Sequence, residues 1–116
     1  MSDIKKLTKK ILNFRNARNW KQFHKPKDLA LSLMLEAAEV GEHFQWKNEA
    51  EILEHIKKNK NDIGEELADT LYWVLLMAHD LDIDLVKAFG KKMKKNEEKY
   101  PVLKAKGKHN KYTELN

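Results

Sequence analysis

Hydrophobic residues recur along this chain at three- and four-residue intervals, and nowhere do Val, Ile and Thr alternate with polar residues as a strand requires. The pattern predicts an all-α protein. Ser2 is placed to cap a first helix from Asp3 to about Arg18, with Ile4, Leu7, Ile11, Leu12 and Phe14 on one side. An irregular segment from Asn19 follows, and Pro26 suits the start of a second helix over about Lys27 to Gln45. A short helix is expected at about Glu49 to Lys57, then a break at KKNKND, then a long helix from about Asp62 to Asp80. A last helix, about Leu85 to Lys99, stops at Tyr100-Pro101 because proline cannot continue it. Residues 102–116 read as a basic tail with little periodicity. With no repeat and no second domain visible, residues 1–116 are expected to form one bundle of four to five helices.

Two of these helices carry acids where apolar residues should be. On the second, Ser32, Glu36, Glu39 and His43 fall in a narrow polar strip, while Leu29, Leu31, Leu33, Met34, Leu35, Ala37, Ala38, Val40 and Phe44 surround it. On the long helix, Leu67, Leu71, Val74, Leu75 and Ala78 form an apolar stripe, and Glu66, Asp69 and Trp73 line up on another side. An isolated E-x-x-E is ordinarily a solvated helix face. Two acidic pairs on two otherwise apolar helices weaken that reading without removing it, because a carboxylate near apolar surroundings is costly without a cation or donors. If the helices pack side by side, four carboxylates converge. An oxygen-only set suits Mg²⁺ or Mn²⁺. It lacks the Glu-x-x-His of di-iron bundles and the nitrogen and sulfur ligands of zinc.

The uncharged run TLYWVLLMA, Thr70 to Ala78, is apolar around its whole circumference and wants burial on every side. So short a chain with few helices is hard pressed to supply that, which points to a homo-oligomer.

Composition narrows the chemistry further. There is no cysteine, which excludes disulfides, thiolate metal sites and a Cys nucleophile. No signal peptide or bilayer-spanning run is visible, so a cytoplasmic protein without a membrane partner is expected. The net charge is +5, with lysines crowded into the last quarter. Such a field suits nucleic acid or a polyphosphate.

The pattern Glu36-Ala-Ala-Glu39, then 26 residues, then Glu66-Leu-Ala-Asp69 resembles the E-x-x-E…E-x-x-D signature of the MazG-like all-α nucleoside triphosphate pyrophosphohydrolases. The stretches RNWKQFH (18–24), HFQW (43–46), KMKKNEEKYP (92–101) and KYTEL (111–115) are similar to the dCTP pyrophosphatase branch of that family. The resemblance implies hydrolysis of a (d)NTP to (d)NMP and pyrophosphate, on dCTP or modified pyrimidine dNTPs, in nucleotide-pool sanitation. It implies Mg²⁺, with Mn²⁺ as a substitute, held by Glu36, Glu39, Glu66 and Asp69, and Glu36 and Glu39 as catalytic carboxylates, with Glu39 preferred as general base. Trp20, Lys21, Gln22, Phe23, His24, Trp46 and Trp73 would form the base and sugar pocket. Lys92, Asn96, Lys99, Tyr100 and Lys111 would hold phosphates. Relatives assemble as tetramers or dimers, so a homotetramer or homodimer is implied.

Two positions depart from the branch: Trp73 stands at a tyrosine site and Ile11 at a histidine site. Both touch base and sugar recognition and leave the acids alone. Two rivals stand beside this reading, a basic nucleic-acid-binding module and a helical adaptor whose apolar Thr70–Ala78 face binds a partner. The acids argue against the first, since they would repel a phosphate backbone.

Overall fold

A computed structural model describes residues 2–116 and, among them, contains helices and no strand. The chain divides into two compact units, Met1–Asp82 and Ile83–Asn116.

The first unit holds α1 (Asp3–Ala17), a 3₁₀ turn (Lys21–Phe23), α2 (Pro26–Glu42) and α3 (Glu49–Asp80). Each start has a local cause. The Ser2 hydroxyl accepts the Lys5 N–H, and Pro26 occupies the first turn of α2, where a missing N–H costs nothing. Asn48 and Glu51 form a reciprocal capping box at the start of α3. Asn19, in the left-handed region at φ 54°, ends the first helical segment, a conformation asparagine tolerates better than most residues.

The two helices expected on either side of KKNKND are one helix. The break survives as a kink at Asn59, whose backbone (φ −122°, ψ 24°) leaves helical values. No Gly or Pro interrupts Glu49 to Ile63, so the chain bends and carries on. The Asn59 amide donates to the His55 carbonyl, competing with the helical ladder at the bend.

Both α1 and α2 pack on α3. Ile11, Leu29, Leu75 and Leu76 are the buried apolar residues, and Arg15 is buried among the charged ones. This is a small core. The polar strip of α2 turns inward, with Ser32, Glu36 and His43 half-buried, while Leu31, Met34 and Leu35 face out at 48%, 66% and 67% exposure. On α3 the stripe is split: Leu75 is buried, whereas Leu67 and Leu71 are exposed.

The second unit holds α4 (Leu85–Lys99), capped by Asp84, then α5 (Val102–Ala105) and a 3₁₀ turn at Tyr112–Glu114. The tail expected to be irregular therefore has two short turns of helix. Pro101 starts the first from φ −59° without needing an N–H. Tyr100 and Tyr112 meet edge to face at 6.0 Å, and the Tyr112 N–H donates to the Tyr100 hydroxyl. Lys99 Nζ lies 4.8 Å from the centre of the Tyr112 ring.

Candidate active site

Glu36 and Glu39 lie on α2, and Glu66 on α3. One carboxylate oxygen from each comes within 4.8 Å of the others, a grouping able to hold a metal ion. Spacing of three on α2 puts its two acids on one face, and the packing of α2 on α3 brings that face to Glu66. Asp69, one turn further along α3, stands outside this tight set but close enough for its charge to act on Glu36 and Glu66.

These acids crowd each other. A hydrogen bond with Glu39 is the main reason the Glu66 carboxyl is pushed up to about 7, followed by desolvation and the charges of Glu39, Glu36 and Asp69. Glu36 is also raised, by burial first and then by Glu39 and Asp69, while a hydrogen bond with Trp73 opposes the shift. Glu36 Oε2 and Glu66 Oε2 are buried without a hydrogen-bond partner. Orphaned acceptors among mutually repelling acids fit a hard divalent cation, which takes carboxylate oxygens and needs no donor hydrogens.

Beside the acids lies a cavity of about 480 Å³ lined by Lys10, Ile11, Phe14, Trp20, Glu36, Asp69, Tyr72 and Trp73. That volume suits a small-molecule ligand. Its aromatic walls are continuous: Phe14 meets Trp20 at 5.6 Å and Tyr72 at 6.3 Å, and Tyr72 meets Trp73 at 5.0 Å, all near-perpendicular. Arg18 caps the outside, its guanidinium 3.8 Å from the Phe14 ring centre.

The expected base-pocket residues separate into two groups. Trp20 and Trp73 line the cavity. His24 stands behind Trp73, ring edge to ring at 5.6 Å. Lys21, Gln22 and Phe23 are exposed on the 3₁₀ turn, where the Gln22 amide donates to the Asn19 carbonyl. Trp46 is 92% exposed, in the turn after α2, with a left-handed backbone (φ 68°) unusual for a bulky residue. Lys92, Asn96, Lys99, Tyr100 and Lys111 belong to the second unit; Asn96 is half-buried and accepts the Tyr100 N–H through its carbonyl.

Sequence reasoning missed Lys10, Phe14 and Tyr72 as cavity residues, and Arg15 altogether. Phe14 read as core and Tyr72 as one more apolar residue in an uncharged run. Arg15 was detectable: it stands four residues beyond Ile11, a lone charge continuing the buried side of α1.

Comparison with known proteins points the same way. The chain is 37% identical to dCTP pyrophosphatase 1 of Rattus norvegicus over 117 aligned residues, covering 99% of this chain and 67% of that protein. It is 35% identical to the Homo sapiens dCTP pyrophosphatase 1 over the same shares. The crystal structure of a pyrophosphatase from Archaeoglobus fulgidus superposes with a TM-score of 0.81 at 36% identity, over 87% of this chain and 94% of that one. The MazG-like family matches residues 31–115, which include all four acids and all but the last residue of the second unit, and to that family this chain belongs.

Proposed function

We propose that this protein converts a nucleoside triphosphate to the monophosphate and pyrophosphate with Mg²⁺ held by Glu36, Glu39, Glu66 and Asp69. The protein is an enzyme, a nucleoside triphosphate pyrophosphohydrolase, as its family and relatives establish. The basic last quarter behind the nucleic-acid reading suits a polyphosphate equally, and the adaptor reading leaves the clustered acids without a role. What carries the metal reading is the pair of buried, unpartnered carboxylate oxygens on Glu36 and Glu66.

Mg²⁺, when bound, supplies Lewis acidity toward the triphosphate, a template for it, and a lowered pKa for a water ligand. The chain's own residues supply the rest. Trp20 and Trp73 stack the base, which any aromatic wall can do because every base has a π face. Glu39, the exposed member of the three clustered glutamates, is placed to orient a water and take its proton on a carboxylate oxygen. The new P–O bond forms at the α-phosphorus as the bridging P–O bond to the β-phosphate breaks, and pyrophosphate leaves in line. Positioning and charge stabilisation dominate such a displacement. Lys92, Asn96, Lys99, Tyr100 and Lys111 are assigned to the phosphates, with lysine acting as a point charge.

The substrate class belongs to the same proposal: dCTP or a modified pyrimidine deoxynucleotide, in cytoplasmic pool sanitation. So does the assembly. Leu31, Met34, Leu35, Leu67 and Leu71 are exposed on the two helices that hold the acids, and a second copy of this chain is the proposed cover, in a homodimer or homotetramer. The strained, exposed backbone of Trp46 supports a recognition role for that residue. Residues 1–116 are assigned to one functional MazG-like domain. No helix among the described residues is long and apolar enough to cross a membrane.

The test is a panel of canonical and modified triphosphates with excess Mg²⁺, products separated by chromatography, for wild type and for Glu66→Ala and Asp69→Ala. The proposal expects monophosphate and pyrophosphate from wild type and loss of turnover in both variants. Wild-type turnover in both would remove the site.

A further inference from the structure

Arg15 is shut away from solvent, its side chain 1% exposed, and it lies outside the acid cluster. Its fork meets Asp80, in the last turn of α3, through two hydrogen bonds of 2.7 and 2.9 Å. The same Nη1 lies 3.4 Å from His24 Nδ1. At the backbone, the Arg15 carbonyl accepts the Trp20 N–H at 3.2 Å. One residue therefore grips both ends of the Trp20–His24 segment, the first by its carbonyl and the second by its guanidinium.

A buried ion pair is a poor source of stability, because desolvating two charges offsets their attraction and an apolar pair of like volume holds as well or better. What an apolar pair lacks is direction. A planar guanidinium docked on a carboxylate has a fixed orientation, which leaves a second Nη1 hydrogen for His24. An Arg donor at Nδ1 makes that nitrogen the acceptor, so the neutral ring carries its proton on Nε2. Burial, then the Arg15 charge, holds His24 below its usual pKa, in keeping with a neutral ring. That ring stands against Trp73, which lines the cavity together with Glu36.

We infer that Arg15 and Asp80 are positioning residues for nucleotide recognition: their buried fork clamps the Trp20–His24 segment to the end of α3 and, through His24, sets the orientation of Trp73. The inference rests on the pyrophosphohydrolase reading and deepens it. Neither residue touches the substrate or the acids.

The experiment replaces the pair by apolar residues of similar volume, Arg15→Met with Asp80→Leu, and separately makes Arg15→Lys, which keeps the charge and loses the fork. Melting temperature, KM and kcat for dCTP, and fluorine NMR of protein labelled with fluorotryptophan are read on each. The double variant is expected to fold with a melting point close to wild type, to raise KM about tenfold and to hold kcat within about twofold. The Trp20 and Trp73 resonances should move while that of Trp46 stays. Arg15→Lys should raise KM in the same direction. A folded double variant with unchanged KM and unchanged resonances overturns the clamp. So does loss of kcat in step with lost folded protein at constant KM, or failure of both variants to fold, since either makes the pair merely structural. If wild type turns over no triphosphate, the functional reading falls, and the resonances alone still decide the clamp.

Discussion

Glu39 on α2 and Glu66 on α3 face each other with carboxylate oxygens within 4.8 Å, and their hydrogen bond does most to push the Glu66 carboxyl up to about 7. A carboxyl raised in the folded state binds more protons there than in the unfolded chain between its ordinary value of 4.5 and about 7. The stability it contributes is thus present at low pH and lost as pH rises through that window. Divalent cation reverses the sign by binding the ionised form. The melting temperature of metal-free protein should fall from about pH 5 to about pH 8, and added Mg²⁺ should raise it much more at the higher pH. Glu66→Gln should flatten both trends in differential scanning fluorimetry.

Trp73 lines the cavity together with Glu36 and Asp69. Base stacking on an aromatic is worth about 1–3 kcal/mol by alanine substitution, or roughly tenfold to a hundredfold in affinity. Trp73→Ala should raise KM by about that factor, whereas Trp73→Tyr, the residue of the similar branch, should raise it by less than about threefold. Steady-state kinetics with dCTP checks both.

Met34 and Leu35 point out of α2 in a single chain. A polar substitution at a truly solvated site changes stability by at most about 0.5 kcal/mol. If a second copy covers them, Leu35→Asp should lower the melting temperature by several degrees and shift the sedimentation coefficient toward that of a monomer of 13.7 kDa.

His43 Nδ1 lies 2.8 Å from His55 Nε2, and the Asn59 amide at the α3 kink reaches His55 Nδ1 at 3.1 Å. One ring must donate and the other accept, so two protonated rings cannot keep this bond. His55 is held below 6.5, by desolvation first and then by Lys47 and His43, against Asp62. A depressed histidine contributes stability that is present above the unfolded value of 6.5 and lost as pH falls below it. The excess of the wild-type melting temperature over that of His55→Gln should therefore shrink as pH falls below 6.5, against the opposite trend set by Glu66.

Much of this was legible in the residues themselves. The Ser2 cap, the Pro26 start and the stop at Tyr100-Pro101 marked helix ends, because local hydrogen bonding and the missing proline N–H decide them. The acids were visible as misfits on apolar helices. What the pattern could not show was direction. The apolar excess of α2 left open which of its residues meet α3; the strip with Glu36 does, and Leu31, Met34 and Leu35 face out. A helix wheel gives relative angles and not which angle meets the neighbour. The break at KKNKND became a kink because polar residues lower helix propensity without forbidding the helix, as proline would. The partner of Arg15 was not legible, because Asp80 lies 65 residues away, beyond any local pattern.

Binding of Mn²⁺ followed by electron paramagnetic resonance, as loss of the free-ion signal, tests the acid cluster without relying on turnover. Wild type should take up the ion saturably, Glu66→Gln should weaken uptake about tenfold or more, and Glu65→Gln, at the exposed neighbouring position, should match wild type. Equal uptake by Glu66→Gln and wild type, or none by wild type, would contradict a divalent ion gripped between α2 and α3.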